Sequence, residues 1–339
     1  MGQNQFHHDV PSRRDFIRTT VGVVGSSLAA TGLLSKTSQA QPSESKSLVA
    51  LSQDTKVIGA GREIAQDRMR EMLDACMKQV TGESSSALAY KSLFKPRDIV
   101  GIKVNCLAGR NLSSHPDLVK LIIEHLLAAA VPARNIIVWE RLGRELEQAG
   151  FPLSRDGSAP RCMGTDDPTV GYDAMPTESG SIGSCFSRFL SSICTALISV
   201  PILKDHDLSG VSIGMKNFYG GIHNPNKYHD NNCDPYIADL NAHPFIRGKL
   251  KLTICDATTV QYHGGPSFKE SWAWSYGAVL VSRDPVALDR VGADLIENKR
   301  KESGLPSLKE EGREPRYIQT AATRGLGVGD SSRIEVVRV

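Results

Sequence analysis

The sequence predicts an α/β fold in which helices cover both faces of a mainly parallel or mixed sheet, as one domain or as two intimate lobes. Three observations predict it. Short β-branched apolar runs alternate with longer segments of helical periodicity, and Gly, Pro, Asn and Asp separate the two kinds of segment. The 339 residues are 40% hydrophobic and 23% charged, a composition that can bury a large core.

The first forty residues have the pattern of an export signal. Residues 12–17, SRRDFI, resemble the twin-arginine motif, and a weakly apolar run at 21–34 leads to the small-residue cleavage pattern Ser38-Gln39-Ala40. We therefore expect the twin-arginine export machinery as a partner and a periplasmic or other extracytoplasmic location. The run is too short and too rich in Gly and Ser for a stable membrane span. This export route often carries proteins that fold around a cofactor in the cytoplasm.

The charge balance excludes some partners. The formal net charge is +3, but residues 1–40 contain four basic and two acidic residues, so the remainder holds 36 basic and 35 acidic groups. Such a balance does not favour nucleic acid as a partner.

The mature chain is predicted to begin with a Ser-rich flexible leader at 41–60, and residues 61–339 to form a single α/β domain. Residues 62–80 have helical spacing, and residues 98–105 form a strand with Lys103 and Asn105 at its end. A helix opens at 113–117, with Pro116 in its first turn, and runs to about residue 130. Residues 135–140 form a strand parallel to the previous one.

The next segments are less regular. Residues 144–150 form a short helix, and the polar segment 151–183 is either a functional flap or a short antiparallel excursion. Residues 196–203 then form a buried strand, and we expect Lys204, Asp205, His206 and Asp207 to emerge at its C-terminal end.

The remaining elements follow in order. Ser209 is expected to cap a short helix that carries Lys216 and Asn217. Residues 234–246 form a helix, residues 251–255 a strand that ends at Asp256, and residues 277–282 another strand. Asp284 caps the helix 286–299, and residues 333–337 form the last strand.

The densest group of ligand-type side chains follows the strand 196–203. We expect His206 to act as general acid or base, Lys216 to anchor an anion or cofactor, and Asp256 to orient a partner. A metal ion is expected on His206 together with His223 and His229. Cofactor-binding positions are expected at Lys103, Asn105, Lys204, Asn217, Gly264 and Gly265, where the two glycines let the backbone approach a ligand.

The seven cysteines are an odd number for an exported protein, so at least one thiol is free or pairs outside the chain. No two of them lie closer than nine residues apart, which excludes the C-x-x-C spacing of zinc ribbons and ferredoxin-type clusters. A cluster assembled from distant cysteines remains an alternative to seven small buried side chains.

The chain resembles the family catalogued as domain of unknown function 362. The segments that carry the resemblance are IVGIKVN at 99–105, SSHPDLVKLIIEHLL at 113–127, VPILKDH at 200–206, GMKNFYGG at 214–221, GGP at 264–266 and VLVSRDPVALDRVGADL at 279–295. Some members of that family carry ferredoxin-type cysteine runs and are described as iron–sulfur proteins. This sequence lacks those runs.

A shorter segment is similar in pattern to the lactate racemase family, which binds a nickel-pincer nucleotide through a lysine and histidines. His206, Lys216 and His229 follow a comparable order here, with glycines between them. Two lysines beside imidazoles repel one another unless an anion offsets them, so we expect a metal- or cofactor-dependent enzyme acting on a small anionic substrate. The alternatives are a non-catalytic carrier or assembly partner for an iron–sulfur or other metal cofactor, and a purely structural or binding module.

Overall fold

A ten-stranded mixed sheet organises the residues that the structure, a computed structural model, describes: 46–59, 61–157 and 159–339. The strand order is β12-β1-β11-β10-β7-β2-β3-β4, with β8 paired to β10 and β9 paired to β8. The strands are β1 Ser47–Gln53, β2 Val100–Val104, β3 Ile136–Glu140, β4 Arg161–Gly164, β7 Ala196–Val200, β8 Ile202–His206, β9 Gly210–Ser212, β10 Leu250–Gln261, β11 Ala273–Ser282 and β12 Ile334–Arg338. A separate hairpin pairs β5 Thr177–Ser179 with β6 Ile182–Ser184.

Helices cover both faces of this sheet, which confirms the predicted α/β class. They are α1 Gln66–Thr81, α2 Ser86–Leu93, α3 Pro116–Ala128, α4 Gly143–Ala149, α5 Tyr236–Ala242, α6 Pro244–Arg247, α7 Pro285–Glu302 and α8 Tyr317–Thr323. Alternate residues of the strands enter two separate cores, as the pleat requires. Ile254 of β10 packs with α1 and α3, whereas Cys255 packs with α5, α7 and α8.

Five strands form the parallel block that ends at one edge of the sheet. β10, β7, β2, β3 and β4 are neighbours in that order, and every pairing between them is parallel. β2, β3 and β7 are buried along their whole length because their apolar side chains face a helical layer on each side. The predicted parallel pairing of the strands near residues 100 and 136 is confirmed.

Pro201 divides the strand predicted at 196–203 into two. β7 pairs with β2 and with the first part of β10, while β8 pairs in parallel with the later part of β10 and antiparallel with β9. The Pro201 carbonyl accepts a hydrogen bond from Asp256 N at 2.8 Å, so the sheet continues across the break. Lys204, Asp205 and His206 therefore lie within a strand, and the prediction that they form a turn after it is wrong.

Three further predictions are corrected. Residues 47–53 are not part of a leader but form strand β1, the second strand from one edge of the sheet, which pairs with β11 and β12. Ser209 caps no helix, because its hydroxyl donates to Val211 O within the β8–β9 hairpin. The segment 151–183 contains the antiparallel excursion that was one of the two alternatives, the β5–β6 hairpin, but it is not only that, because it also contributes the parallel edge strand β4.

Other expectations agree with the structure. Asp284 caps α7 by accepting from Val286 N and Ala287 N, each at 2.9 Å. The described residues belong to one compact unit, and they include no helix long and apolar enough to cross a membrane. The predicted export signal lies outside the described residues.

Candidate functional site

A cavity of about 440 Å³ opens beyond the C-terminal ends of β2 and β3. Its lining comes from the end of β2 and the turn after it, the β3–α4 turn and the start of α4, β8, the β8–β9 turn, the end of β9, the 3₁₀ segment Lys216–Gly221 and the loops near residues 225 and 266. Six of the residues predicted from the sequence to bind or react line it together with His229: Lys103, Asn105, Lys204, His206, Lys216 and Asn217. Strand ends at the edge of a parallel block thus converge here.

Lys103 and Glu140 form a buried ion pair at the base of the cavity. Lys103 Nζ lies 2.6 Å from Glu140 Oε1 and 2.7 Å from Val104 O, and both side chains are almost fully buried. Gly220 passes directly over this pair, since a Cβ at that position would lie 2.7 Å from Glu140 Oε1. Lys103 is therefore neutralised by its own partner and held by the fold.

Lys204 is a buried cation without a carboxylate partner among the described residues. Its Nζ donates to Pro266 O at 3.3 Å, and the side chain is 1% exposed. Burial lowers the pKa of Lys204 to about 8 even though Glu140 opposes the shift, and nearby Lys216 contributes to the lowering. An ammonium in this position gains from any anion that enters the cavity.

Lys216 donates a hydrogen bond to His229. The Lys216 Nζ lies 3.0 Å from His229 Nε2, and His229 Nδ1 donates to Pro225 O at 3.2 Å. Because Nδ1 must carry the hydrogen for that bond, Nε2 is the acceptor for the ammonium. The Lys216 Nζ also lies 4.2 Å from the centre of the Tyr219 ring. Burial lowers the pKa of Lys216 to about 8, and the Cys233 thiol, 3.7 Å away, opposes the shift.

Three consecutive residues near this pair have left-handed backbone. Asn231, Asn232 and Cys233 have φ values of 51°, 59° and 60°. Asparagine tolerates this region, but at Cys233 it costs about 1–2 kcal/mol. The turn directs Cys233 Sγ toward Lys216, so backbone strain and the buried ammonium coincide at one place.

His206 stacks on His229 with 5.5 Å between ring centres and 22° between ring planes. His206 Nδ1 accepts from Leu208 N at 3.1 Å and from Ser209 N at 3.4 Å, yet it also lies 3.0 Å from Asp207 Oδ1. The amide contacts need an unprotonated Nδ1 and the carboxylate contact a protonated one. Burial and then Lys216 lower the pKa of His206, so the neutral ring with hydrogen on Nε2 is the form that the site holds.

The lining carries an excess of positive charge. Four basic side chains line the cavity, Lys103, Lys204, Lys216 and Arg141, against three carboxylates, Glu140, Glu145 and Asp207. The two histidines are neutral because burial lowers the pKa of each. Lys103 pairs with Glu140, and Arg141 lies 3.4 Å from Glu145, so Lys204 and Lys216 carry the unpaired charge.

Two asparagines complete the polar lining. Asn217 Nδ2 donates to Lys103 O at 2.9 Å and to Ser199 Oγ at 3.1 Å, so its amide fixes the end of β2. Asn105 Oδ1 is buried and has no hydrogen-bond partner among the described residues. A buried acceptor without a partner in the cavity lining is suited to a ligand hydroxyl or amine.

Asp256 lies outside the cavity, contrary to the predicted orienting role. Strand β10 does not end at residue 255 but continues to Gln261, which places Asp256 in the middle of the strand and fully buried. Its Oδ2 accepts from His115 N at 2.8 Å, and its Oδ1 accepts from Thr258 N and Oγ1. Asp256 therefore fastens the start of α3 to the sheet.

Gly264 and Gly265 do not line the cavity either. A Cβ at Gly265 would lie 2.1 Å from Asp205 O, and Gly265 N donates to Asp205 Oδ1 at 2.6 Å. The close approach that we predicted for a ligand is made to Asp205 instead. Pro266, the next residue, forms part of the cavity wall.

The predicted set of three histidine ligands is not assembled. His223 is exposed and its ring contacts Tyr172 outside the cavity, with 5.3 Å between ring centres. Within the described ranges, no group of three or more His, Cys, Asp or Glu side chains could hold a metal ion. All seven cysteines are unpaired, and all but the half-buried Cys185 are buried.

Sequence reasoning missed two positioning residues. Asp289 of α7 is fully buried and accepts from Gly214 N at 2.8 Å, Met215 N at 3.2 Å and Tyr317 Oη at 2.9 Å, which fixes the turn before Lys216. Burial raises the pKa of Asp289 to about 7 despite these donors. Arg313 contacts Asp205 and His206 from the segment after α7. An acidic residue on the apolar face of α7 was the available signal for Asp289; no pattern marks Arg313.

Comparison with known proteins adds a family and a distant structural likeness. A family model described as Domain of unknown function (DUF362) matches residues 100–294. No curated protein matches the chain. A crystal structure of a Thermotoga maritima protein from the Northeast Structural Genomics Consortium has a TM-score of 0.45 and 11% sequence identity. The similarity covers 69% of this chain and 59% of that chain.

Proposed function

The chain belongs to the family described as domain of unknown function 362, and we propose that it is an exported enzyme that binds a small anion and transfers a proton on it. One observation carries the proposal. Lys204 and Lys216 are buried in one cavity, and neither has a carboxylate within ion-pairing distance among the described residues. Buried ammonium groups without partners are costly, so an anionic ligand supplies the missing interaction.

The imidazoles supply acid–base chemistry next to this anion site. His206 carries its hydrogen on Nε2, because Nδ1 accepts from backbone amides, and that N–H donates a hydrogen bond to the substrate oxygen on which negative charge develops. His229 Nε2 accepts from Lys216, so its lone pair is released when the ammonium turns to a bound anion. Binding of the substrate thereby creates the base, and the two stacked rings form a donor–acceptor pair.

A metal ion held by protein side chains does not fit this site, because His223 lies outside the cavity and His229 Nε2 is occupied by Lys216. A metal-containing cofactor with an anionic group does fit, since Lys204 and Lys216 would hold that group. Bound there, such a cofactor would supply hydride or electron transfer that no side chain in the cavity provides. The second candidate function is therefore a non-catalytic carrier of an anionic metal cofactor.

Proton exchange in deuterated water tests the enzyme proposal. The full chain is incubated with a panel of small carboxylates in D₂O, and deuterium uptake next to the carboxylate is followed by proton NMR. We expect uptake that is lost in His206→Ala and kept in His243→Ala, a histidine outside the cavity. Binding without uptake or other turnover favours the carrier, and absence of binding contradicts both functions.

Export through the twin-arginine route is part of the same proposal. Its support is the SRRDFI motif at 12–17 with the apolar run and the cleavage pattern that follow it. Export in a folded state suits a protein whose cavity is built from segments that lie far apart in the sequence. A cell fractionation that compares precursor and mature forms tests this location.

A further inference from the structure

The mouth and the floor of the cavity differ in chemistry. Two lining residues are leucines that the fold leaves exposed, Leu107 at 55% and Leu208 at 43%, whereas Lys204 is 1% exposed and Lys216 6%. Pro225 and Pro266 also line the wall and extend its apolar part. The unpaired ammonium groups therefore lie at the bottom of the cavity, and the apolar side chains lie at its entrance.

The site itself holds both leucines in place. Leu107 follows Cys106, whose backbone N–H donates to Glu140 Oε2 at 3.1 Å, in the turn after β2. Leu208 N donates to His206 Nδ1 at 3.1 Å in the β8–β9 turn. The turn that carries each leucine is therefore anchored to a side chain of the cavity. A scattered exposed leucine needs no explanation, but two fixed at one entrance form an apolar contact surface.

The charge of the lining limits the charge of the ligand. Its four basic side chains exceed its three carboxylates by one, with the histidines neutral. A monoanion balances that excess. A dicarboxylate or a phosphate dianion would leave a net negative charge in a lining that already holds Glu140 and Asp207.

We propose that the anion is a monocarboxylate with an apolar chain, bound with its carboxylate on Lys204 and Lys216 and its chain between Leu107 and Leu208. This inference rests on the proposed function. Every methylene group buried at the mouth should tighten binding about fourfold, the equivalent of about 0.8 kcal/mol. Ligand pockets combine a mainly apolar wall with a few polar anchors in this way.

Calorimetric titration of the full chain with four probes tests the proposal: butanoate, hexanoate, hexanamide and succinate. Hexanoate should bind about fifteenfold more tightly than butanoate, because it buries two more methylene groups. Hexanamide lacks the charge and succinate carries a second one, so both should bind more weakly than hexanoate. In the double variant Leu107→Ser/Leu208→Ser, the affinity for hexanoate should fall about tenfold, whereas the affinity for butanoate should be unchanged.

The matched control is Leu88→Ser/Leu127→Ser, which removes two leucines of similar exposure, 45% and 42%, outside the cavity. The control should bind hexanoate as the unmodified chain does. Equal affinity for butanoate and hexanoate, or a chain-length gain that survives in Leu107→Ser/Leu208→Ser, overturns this inference and leaves anion binding intact. Tighter binding of succinate overturns the monoanion assignment. If no carboxylate binds, the proposed function itself fails.

Discussion

Arg313 Nη1 lies 2.8 Å from Asp205 Oδ2 and 3.0 Å from His206 O, so a residue beyond α7 clamps the strand that carries the cavity histidine. The two charged residues are 108 positions apart in the chain, and Asp205 is fully buried. Arg313 also pairs with Glu311, which in turn pairs with Arg300. The His206 side of the cavity is thus built by contacts between distant segments.

Replacing Arg313 by Ala should lower the free energy of unfolding by about 3–5 kcal/mol, because Asp205 would stay buried without a counter-charge. Arg313→Lys should recover part of the loss, since the ammonium restores the charge but not both contacts. Urea unfolding measures each change. Arg316→Ala, which removes an exposed contact to Asn231, is the matched control and should cost less than 1 kcal/mol. Equal effects of the Arg313 and Arg316 variants would contradict the clamp.

Lys216→Met should weaken carboxylate binding about 10- to 100-fold, because it removes a hydrogen bond from a charged donor that contributes about 1.5–3 kcal/mol. The free energy of unfolding at neutral pH should stay equal or rise, since the variant no longer buries a cation without a carboxylate. Titration calorimetry and urea unfolding give the two quantities. Lys227→Met, at an exposed lysine outside the cavity, is the control. An unchanged affinity in Lys216→Met would remove Lys216 from the anion site.

Above pH 8, the free energy of unfolding should rise with pH while the affinity for an anion should fall. Lys204 and Lys216 have pKa values of about 8 in the fold, below their ordinary 10.5, so the unfolded chain binds more protons between these values. The free energy of unfolding should therefore rise as pH increases through that window, by a few kcal/mol. Anion affinity should fall over the same range as the ammonium groups lose their charge.

The double variant Lys204→Met/Lys216→Met separates these lysines from the other groups that titrate in alkali. Its free energy of unfolding should rise less than that of the unmodified chain between pH 8 and 10.5. Parallel pH profiles of the two proteins would show that neither lysine has a lowered pKa.

All seven thiols should be free in the purified protein. A thiol reagent should react with at most Cys185 in the native state, since that side chain is half-buried and the others are buried. After denaturation without reductant, it should count seven. A smaller count would reveal a disulfide that the structure does not contain. The count for the native protein serves as the control for the count after denaturation.

Replacing Arg13 and Arg14 together by Lys should keep the precursor in the cytoplasm, because lysine keeps the charge but not the planar guanidinium. Immunoblots of cell fractions measure the distribution. Arg18→Lys, which makes the same change a few residues later, should export normally. Normal export of the double variant by this route would contradict the assigned location.

The sequence predicted the cavity residues correctly where they lie at or near the end of an apolar strand. Lys103 near the end of β2 and His206 at the end of β8 follow apolar residues, and both strands have a parallel neighbour, whereas Lys216 reaches the cavity through the segment after the antiparallel β8–β9 hairpin. Asp256 was misplaced because a single carboxylate after KLTIC looks like a strand end. The β-branched residues Thr258, Thr259 and Val260 that follow it were the sign that the strand continues.

Other features have no local signal. The sequence predicts a leader where strand β1 lies because serines surround its short apolar run, and only pairing with β11 and β12 identifies it as a strand. Arg313 lies in a polar segment without periodicity, so its contact with Asp205 follows from tertiary packing alone. Long-range polar contacts of this kind are set by the folded chain as a whole.

Strand β10 joins the cavity wall to the centre of the sheet, and this limits how the protein can open. Its first part pairs with β7 and its later part with β8, while β11 pairs along its other edge. Amide hydrogens of β10 should therefore exchange with solvent only when the whole molecule unfolds, because no part of the strand can detach alone. A ligand cannot enter through the sheet, so its route passes the mouth of the cavity, where the turns after β2 and between β8 and β9 carry Leu107 and Leu208.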